Sequence, residues 1–161
     1  MVRHGKIAWL NVQGVADRET GKAPCGGIFT MPARFHVDAE RRLVTVKFDS
    51  YVGVREVVEY LEQLKADPAF DPEFAELVDL TQVVNADVDF QSAMTIARGK
   101  DPFSRKAMRA FVTSATEILE SVRRYQMARG NDGSISVFPT MEEARRWLGL
   151  GKAVANEEVD R

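Results

Sequence analysis

From Arg34 to about residue 149 the chain alternates between two hydrophobic periods, and this alternation constrains the fold more than any other feature. Segments with every second residue apolar are followed by segments with apolar residues three and four apart. Arg34 to Asp38 and Arg42 to Asp49 read as two strands joined by the turn Ala39-Glu40-Arg41; in the second, Val44, Val46 and Phe48 face one way and Thr45 and Lys47 the other. Val54, Val57, Val58, Leu61 and Leu64 then define an amphipathic helix that stops at Asp67-Pro68. A strand over Phe74–Leu80 is followed by a polar loop over 81–89. A helix with Ala93, Met94, Ile96 and Ala97 on one face begins at about Phe90 and ends before Pro102.

Two further strand–helix units complete the pattern. Ala107–Thr113 reads as a strand, and Ser114-Ala-Thr-Glu117 has the form of a capping box opening a helix with Ile118, Leu119, Val122 and Tyr125 inward. Gly130-Asn-Asp-Gly133 closes that helix. Ser134–Phe138 is the last strand, and Thr140-Met-Glu-Glu143 is a second capping box, opening a helix with Met141, Ala144, Trp147 and Leu148 toward the core and ending at Gly149 or Gly151. Strands alternating with helices imply right-handed crossovers and a parallel sheet. The expected fold is therefore α/β, a mostly parallel five-stranded sheet with the first strand as an antiparallel edge and helices packed on it.

The first thirty residues share none of this periodicity. They hold Gly5, Gly14, Gly21, Pro24, Gly26 and Gly27, and only Lys6–Val12 has strand character. Residues 1–30 are expected to be a mobile arm, either a regulatory appendage or sequence upstream of a natural start at Met31; residues 31–150 form the domain, and residues 151–161 a frayed tail.

Composition narrows the function classes. Apolar content of 45% and charged content of 29% suit a globular domain large enough to hold a core without staples. A net charge of -2 gives no reason to expect nucleic acid or an anionic membrane as a partner. The single cysteine, Cys25, cannot form an internal disulfide, and no apolar run approaches the 18–20 or so residues of a membrane span. A cytoplasmic location is the default expectation. His4 and His36 are too few and too far apart to form a metal pair, and no glycine-rich phosphate loop occurs, so no cofactor is expected. Nucleophile, base and stabiliser are not found in any recognisable set, so an enzyme is not expected.

Residues 77–90, Leu-Val-Asp-Leu-Thr-Gln-Val-Val-Asn-Ala-Asp-Val-Asp-Phe, place two acids where a strand gives way to a helix. In α/β domains this sheet edge is where ligands and partners dock. The stretch resembles the STAS or SpoIIAA-like domain, the group that contains anti-sigma-factor antagonists, and specifically its uncharacterised bacterial members. Asp79, Leu80 and Val83 stand where that family has Asp-Leu-x-x-Val, and Asp87 matches the aspartate of its Asp-Ser-Ser-Gly turn; Val88, Asp89 and Phe90 depart from the rest of it. Val137-Phe138, Glu143-Ala144 and Trp147-Leu148 resemble a common ending of the uncharacterised members, and Arg105–Ala110 and Arg124-Tyr125-Gln126 are similar to them as well. The resemblance covers about residues 34–149.

The resemblance implies a non-enzymatic, protein-binding signalling domain. In the antagonists a serine of the turn is phosphorylated and switches binding; here Asp89 takes that position and carries about one negative charge against roughly two for a phosphate. Either the switch is lost, or the site is permanently negative, or the acceptor is Ser92 or Thr81 in a shifted alignment. The plain alternative is that Asp87 or Asp89 caps the next helix. The expected partner surface comprises Thr81, Asp87, Asp89 and Ser92, with Ser114 and Thr140 at neighbouring helix starts on the same edge. The alternative is a small-molecule or lipid carrier whose pocket is lined by Phe90, Met94, Phe103, Met108 and Met127, soft side chains suited to irregular gaps. The basic residues Lys100, Arg105, Lys106, Arg109, Arg123, Arg124 and Arg129 read as a solvated face or as a contact for an acidic protein. Tyr125 and Trp147 are expected in the core or at its rim.

Overall fold

The computed structural model describes residues 33–151. The expected arm, Cys25 and His4, and almost all of the expected tail lie outside the described residues. The elements run β1 (Ala33–Asp38), β2 (Leu43–Gly53), α1 (Val54–Ala66), β3 (Ala75–Asp87), α2 (Phe90–Thr95), β4 (Arg109–Val112), α3 (Thr116–Arg129), β5 (Ile135–Phe138) and α4 (Met141–Trp147). A π-helical turn, Ile96–Lys100, continues α2.

The sheet order is β1-β2-β3-β4-β5, with β1 antiparallel to β2 and every other pair parallel. The fold expected from the periodicity is the one observed. Because each crossover steps to the next strand in the same direction, right-handed connections put α1, α2 and α3 on one face. There they close the main core with Val44, Val46, Phe48, Val78 and Leu80. The last helix, α4, folds back over the opposite face, where Ala144, Met141 and Trp147 cover Leu77, Ala110 and Val112. Trp147 sits half-buried against Phe138, with ring centroids 5.5 Å apart.

Helix α1 forms because its apolar residues recur on one face, and it ends where Asp67 precedes Pro68. Its inward side chains Tyr60, Leu61 and Leu64 meet the sheet, and Tyr60 packs edge-on against both Phe35 and Phe48. Helix α3 ends at Gly130, whose φ of 101° suits only a residue without a Cβ. The turn before β2 is held by Asp38, whose carboxylate accepts the Arg41 N–H at 3.0 Å.

Two local expectations are corrected. Residues 81–87 are strand and not loop: β2 and β3 run on together to Gly53 and Asp87, in a two-stranded extension beyond β4. Pairing with β2 overrides the poor strand propensity of Asn85, Ala86 and Asp87. Two register shifts between β2 and β3 accommodate the extra residues on β3. The capping box at Ser114 does not form either. Ala115 takes the cap position without a side-chain bond, and Thr113 Oγ1 accepts the Ala115 N–H at 3.2 Å instead. The box expected at Thr140 forms its first half, with Oγ1 accepting the Glu143 N–H at 3.3 Å.

Leu64 is fully enclosed between α1 and the sheet. Leu64→Ala is expected to lower the unfolding free energy by about 2–5 kcal/mol in a denaturant titration, because the removed methyl groups leave a cavity.

Candidate functional site

The described residues offer two sites of different character: an exposed acidic edge and a buried polar cluster beside a cavity.

At the edge, Asp79, Val112 and Phe138 are paired across β3, β4 and β5. Thr81, Ser114 and Thr140 each lie two residues beyond those positions, so they share one level of the sheet rim, and all three are exposed. Asp87 is six residues past Thr81, roughly 20 Å of strand path further on. Asp89 and Ser92 belong to the start of α2, on the face that carries α3, whereas Thr140 opens α4 on the opposite face. Asp87, Asp89 and Ser92 are therefore one group, at the end of the β2–β3 extension, and Ser114 and Thr140 belong to another part of the rim.

Asp89 is the N-cap of α2: its carboxylate accepts the Ser92 N–H at 2.7 Å. Hydrogen bonding from the Ser92 side chain and backbone, aided by Arg124 on α3, holds the Asp89 carboxyl below the usual carboxylate range. The capping role anticipated as the plain alternative is thus present, with the acid fully in water. Thr81 Oγ1 donates to Asp79 Oδ1 at 2.6 Å. Val84 and Phe90 in this stretch, and Tyr51 paired with Asn85 on the neighbouring β2, are large apolar side chains exposed at 80%, 50% and 41% of their full surface.

The second site lies inside. Glu76 and Arg109 are register partners on β3 and β4 and point into the main core, where Arg109 Nε donates to Glu76 Oε2 at 2.5 Å. Tyr60 donates to the other oxygen, Oε1, at 2.5 Å. Arg109 Nη1 reaches Asp101 Oδ2 at 2.8 Å, and Asp101 also accepts from the Tyr125 hydroxyl and pairs with Arg129 Nη1 at 3.2 Å. Arg129 Nη2 binds the Ser104 carbonyl at 3.1 Å. The guanidinium of Arg109 stacks over Phe103 at 4.4 Å. Two acids thus face two guanidiniums with almost no solvent contact.

Burial pulls the Arg109 charge down, but Glu76, Tyr125 and Asp101 outweigh it, so the guanidinium holds its proton more tightly than usual. Burial, reinforced by the Glu76 charge, pushes the Tyr60 hydroxyl well up. Burial raises Tyr125 too, with Arg109 opposing and Asp101 reinforcing.

A cavity of about 80 Å³ adjoins this cluster, between the sheet and the helices. Its walls are mostly apolar, among them Phe48, Leu61, Leu80, Ile118 and Val122, and its polar wall is Glu76, Arg109, Tyr60, Tyr125 and Ser121.

Several sequence expectations change here. Arg109 and Arg129 do not belong to a solvated basic face; their charges are neutralised inside by Glu76 and Asp101. None of Phe90, Met94, Phe103, Met108 and Met127 lines the cavity. Phe90, Met108 and Met127 are exposed, and Phe103 is used up beneath Arg109 and against Phe70. The polar cluster was missed, although strand alternation carries its signal: Glu76 shares a face with Val78 and Leu80, so it had to point inward. Tyr125 is buried, as expected. Among the described residues no group of acids, histidines or cysteines is placed to hold a metal ion, and no helix is long and apolar enough to cross a membrane.

Arg109→Leu should lower stability by about 3–5 kcal/mol in chemical unfolding, because Glu76 would remain buried without its countercharge. Alkali probes the same cluster. Tyr60 and Tyr125 bind their protons more tightly folded than unfolded, so the stability they contribute is full below the ordinary tyrosine value of 10.0 and is lost as pH rises through their higher folded values. Tyrosine ultraviolet titration should show these two hydroxyls ionising together with the loss of far-ultraviolet circular dichroism, above pH 10.

No family model and no curated protein matches the chain. Among solved structures, the chain is similar to an uncharacterised protein of the DUF3478 family from Shewanella loihica, described as having a SpoIIAA-like fold. The two are 16% identical with a TM-score of 0.47, over 72% of this chain and 93% of that one.

Proposed function

We propose that this chain is a non-enzymatic domain that binds another protein through the end of its β2–β3 extension and the start of α2. The observation that carries the reading is the combination found there. Val84 and Phe90, with Tyr51 on the neighbouring strand, hold apolar surface in water, and Asp87 and Asp89 supply charge between Val84 and Phe90. Isolated exposed apolar residues are ordinary, but large ones gathered in one stretch beside fixed charges have the make-up of an interface. An aromatic such as Phe90 is the type of side chain that anchors a contact, and the acids set orientation and association rate. A signalling role for that contact rests on the resemblance to anti-sigma-factor antagonists. With Asp89 in the position of the family's serine and engaged as a helix cap, the charge is permanent.

Partner capture from the native host, quantified by mass spectrometry, tests this. The partner recovered with wild type should be lost with the pair Val84→Glu and Phe90→Glu, and weakened at least tenfold by Asp89→Arg, while Glu40→Lys in the remote turn before β2 leaves it unchanged. Equal recovery across all four proteins removes this surface from the function.

A second reading, carriage of a small molecule, is supported by the cavity of about 80 Å³, which places apolar walls beside a polar cluster. A space of that size suits a compact guest of few heavy atoms; a dry engineered cavity that takes up benzene is about 150 Å³.

A further inference from the structure

The polar wall of the cavity has more donors than its acceptors use. Arg109 commits Nε to Glu76 and Nη1 to Asp101 and Tyr125, and among the described residues Nη2 has no hydrogen-bond partner. Its side chain is 4% exposed and lines the cavity. Nη2 keeps some accessible surface, since the one fully enclosed side-chain nitrogen or oxygen without a partner among the described residues is Arg145 Nε, so a guest that supplies an acceptor to Nη2 gains a charge-assisted hydrogen bond.

The charge around this donor narrows the guest further. Glu76 and Asp101 already balance Arg109 and Arg129, and Glu76 lines the same cavity as Arg109. A carboxylate or phosphate placed against Nη2 would lie beside the Glu76 charge in a poorly solvated space and would leave the cluster with excess negative charge. An ammonium would meet the guanidinium. A neutral acceptor avoids both. Tyr60 and Tyr125 stay protonated across the ordinary pH range and spend their hydroxyls on Glu76 and Asp101, so neither competes for the guest. The rest of the wall, including Phe48, Leu80, Ile118 and Val122, asks for an apolar body.

We infer that the cavity is a binding site for a small, uncharged molecule with an apolar body and one hydrogen-bond acceptor, such as a compact ketone, ester or alcohol, whose oxygen accepts from Arg109 Nη2. This assignment rests on the carriage reading and names its ligand class. It also gives the buried ion cluster a use beyond holding β3 to β4: the cluster presents a charged donor to an apolar space while cancelling the net charge that would otherwise draw an anion.

The test compares three probes of matched size, small enough for the cavity, on the full chain: acetone, isobutane and acetate. Binding is followed by the methyl signals of Ile118 and Val122 and by the Arg109 Nε–H in nuclear magnetic resonance titrations. Acetone is expected to shift both sets and to bind about tenfold more tightly than isobutane, the gain of one charge-assisted hydrogen bond. The carboxylate is expected to bind more weakly than the ketone. Val122→Phe, which fills the cavity, should abolish all binding; Glu40→Lys, in the remote turn before β2, should not affect it. If isobutane equals the ketone, or the carboxylate binds tightest, the ligand class is wrong and carriage survives. If no probe shifts the methyl signals of the wild-type protein, carriage and ligand class fall together.

Discussion

The bond between Glu76 and Arg109 is the constraint on which the rest of the structure depends. It joins β3 to β4 at register partners, inside the core, at 2.5 Å. Neither charge tolerates that environment alone, because removing either strands its partner in a medium that solvates ions poorly. The pair therefore selects one register between two strands that share only four paired positions. It also recruits its surroundings. Asp101 is brought to the second arm of the guanidinium at the exit of the π-helical turn, and Arg129 and Tyr125 tie α3 to the same carboxylate. Chain segments far apart in sequence thus converge on one balanced cluster, and a helix slid by one residue would break several bonds at once.

With that cluster anchoring one end, the long strands β2 and β3 extend past the short ones. Beyond Asp79, β3 has only β2 beside it, and its buried residues Leu80 and Val83, with Val52 on β2 and Val88 just past the strand, bind the extension to the core. A two-stranded ribbon has too few inward positions to bury all its apolar side chains. Val84 remains outside for this reason, and Phe90, the first residue of α2, is exposed just past the acids. The exposed surface and the internal cavity are thus consequences of one geometry: a sheet of unequal strands, its long part curled over a core that α1, α2 and α3 leave incompletely filled.

The periodicity of the chain was sufficient to determine the elements. Val44-x-Val46-x-Phe48 and the helical spacing of Val54 to Leu64 leave one secondary structure each, and right-handed crossovers then fix the face each helix takes for a given strand order, because both rules act locally on apolar pattern and chain chirality. The cap at Asp89 was legible for the same reason, since a carboxylate and the N–H three residues on are close neighbours along the chain. Three things were decided only in the folded molecule. Residues 81–87 became strand because β2 lay beside them. Arg109 and Arg129 went inside because Glu76 and Asp101 arrived to neutralise them. The cavity took its walls from β2, β3, β4, α1 and α3, and not from the methionines and phenylalanines that look available in the sequence. Each depends on residues that meet only after the chain has closed on itself, and no local pattern encodes the company a side chain will keep across the sheet.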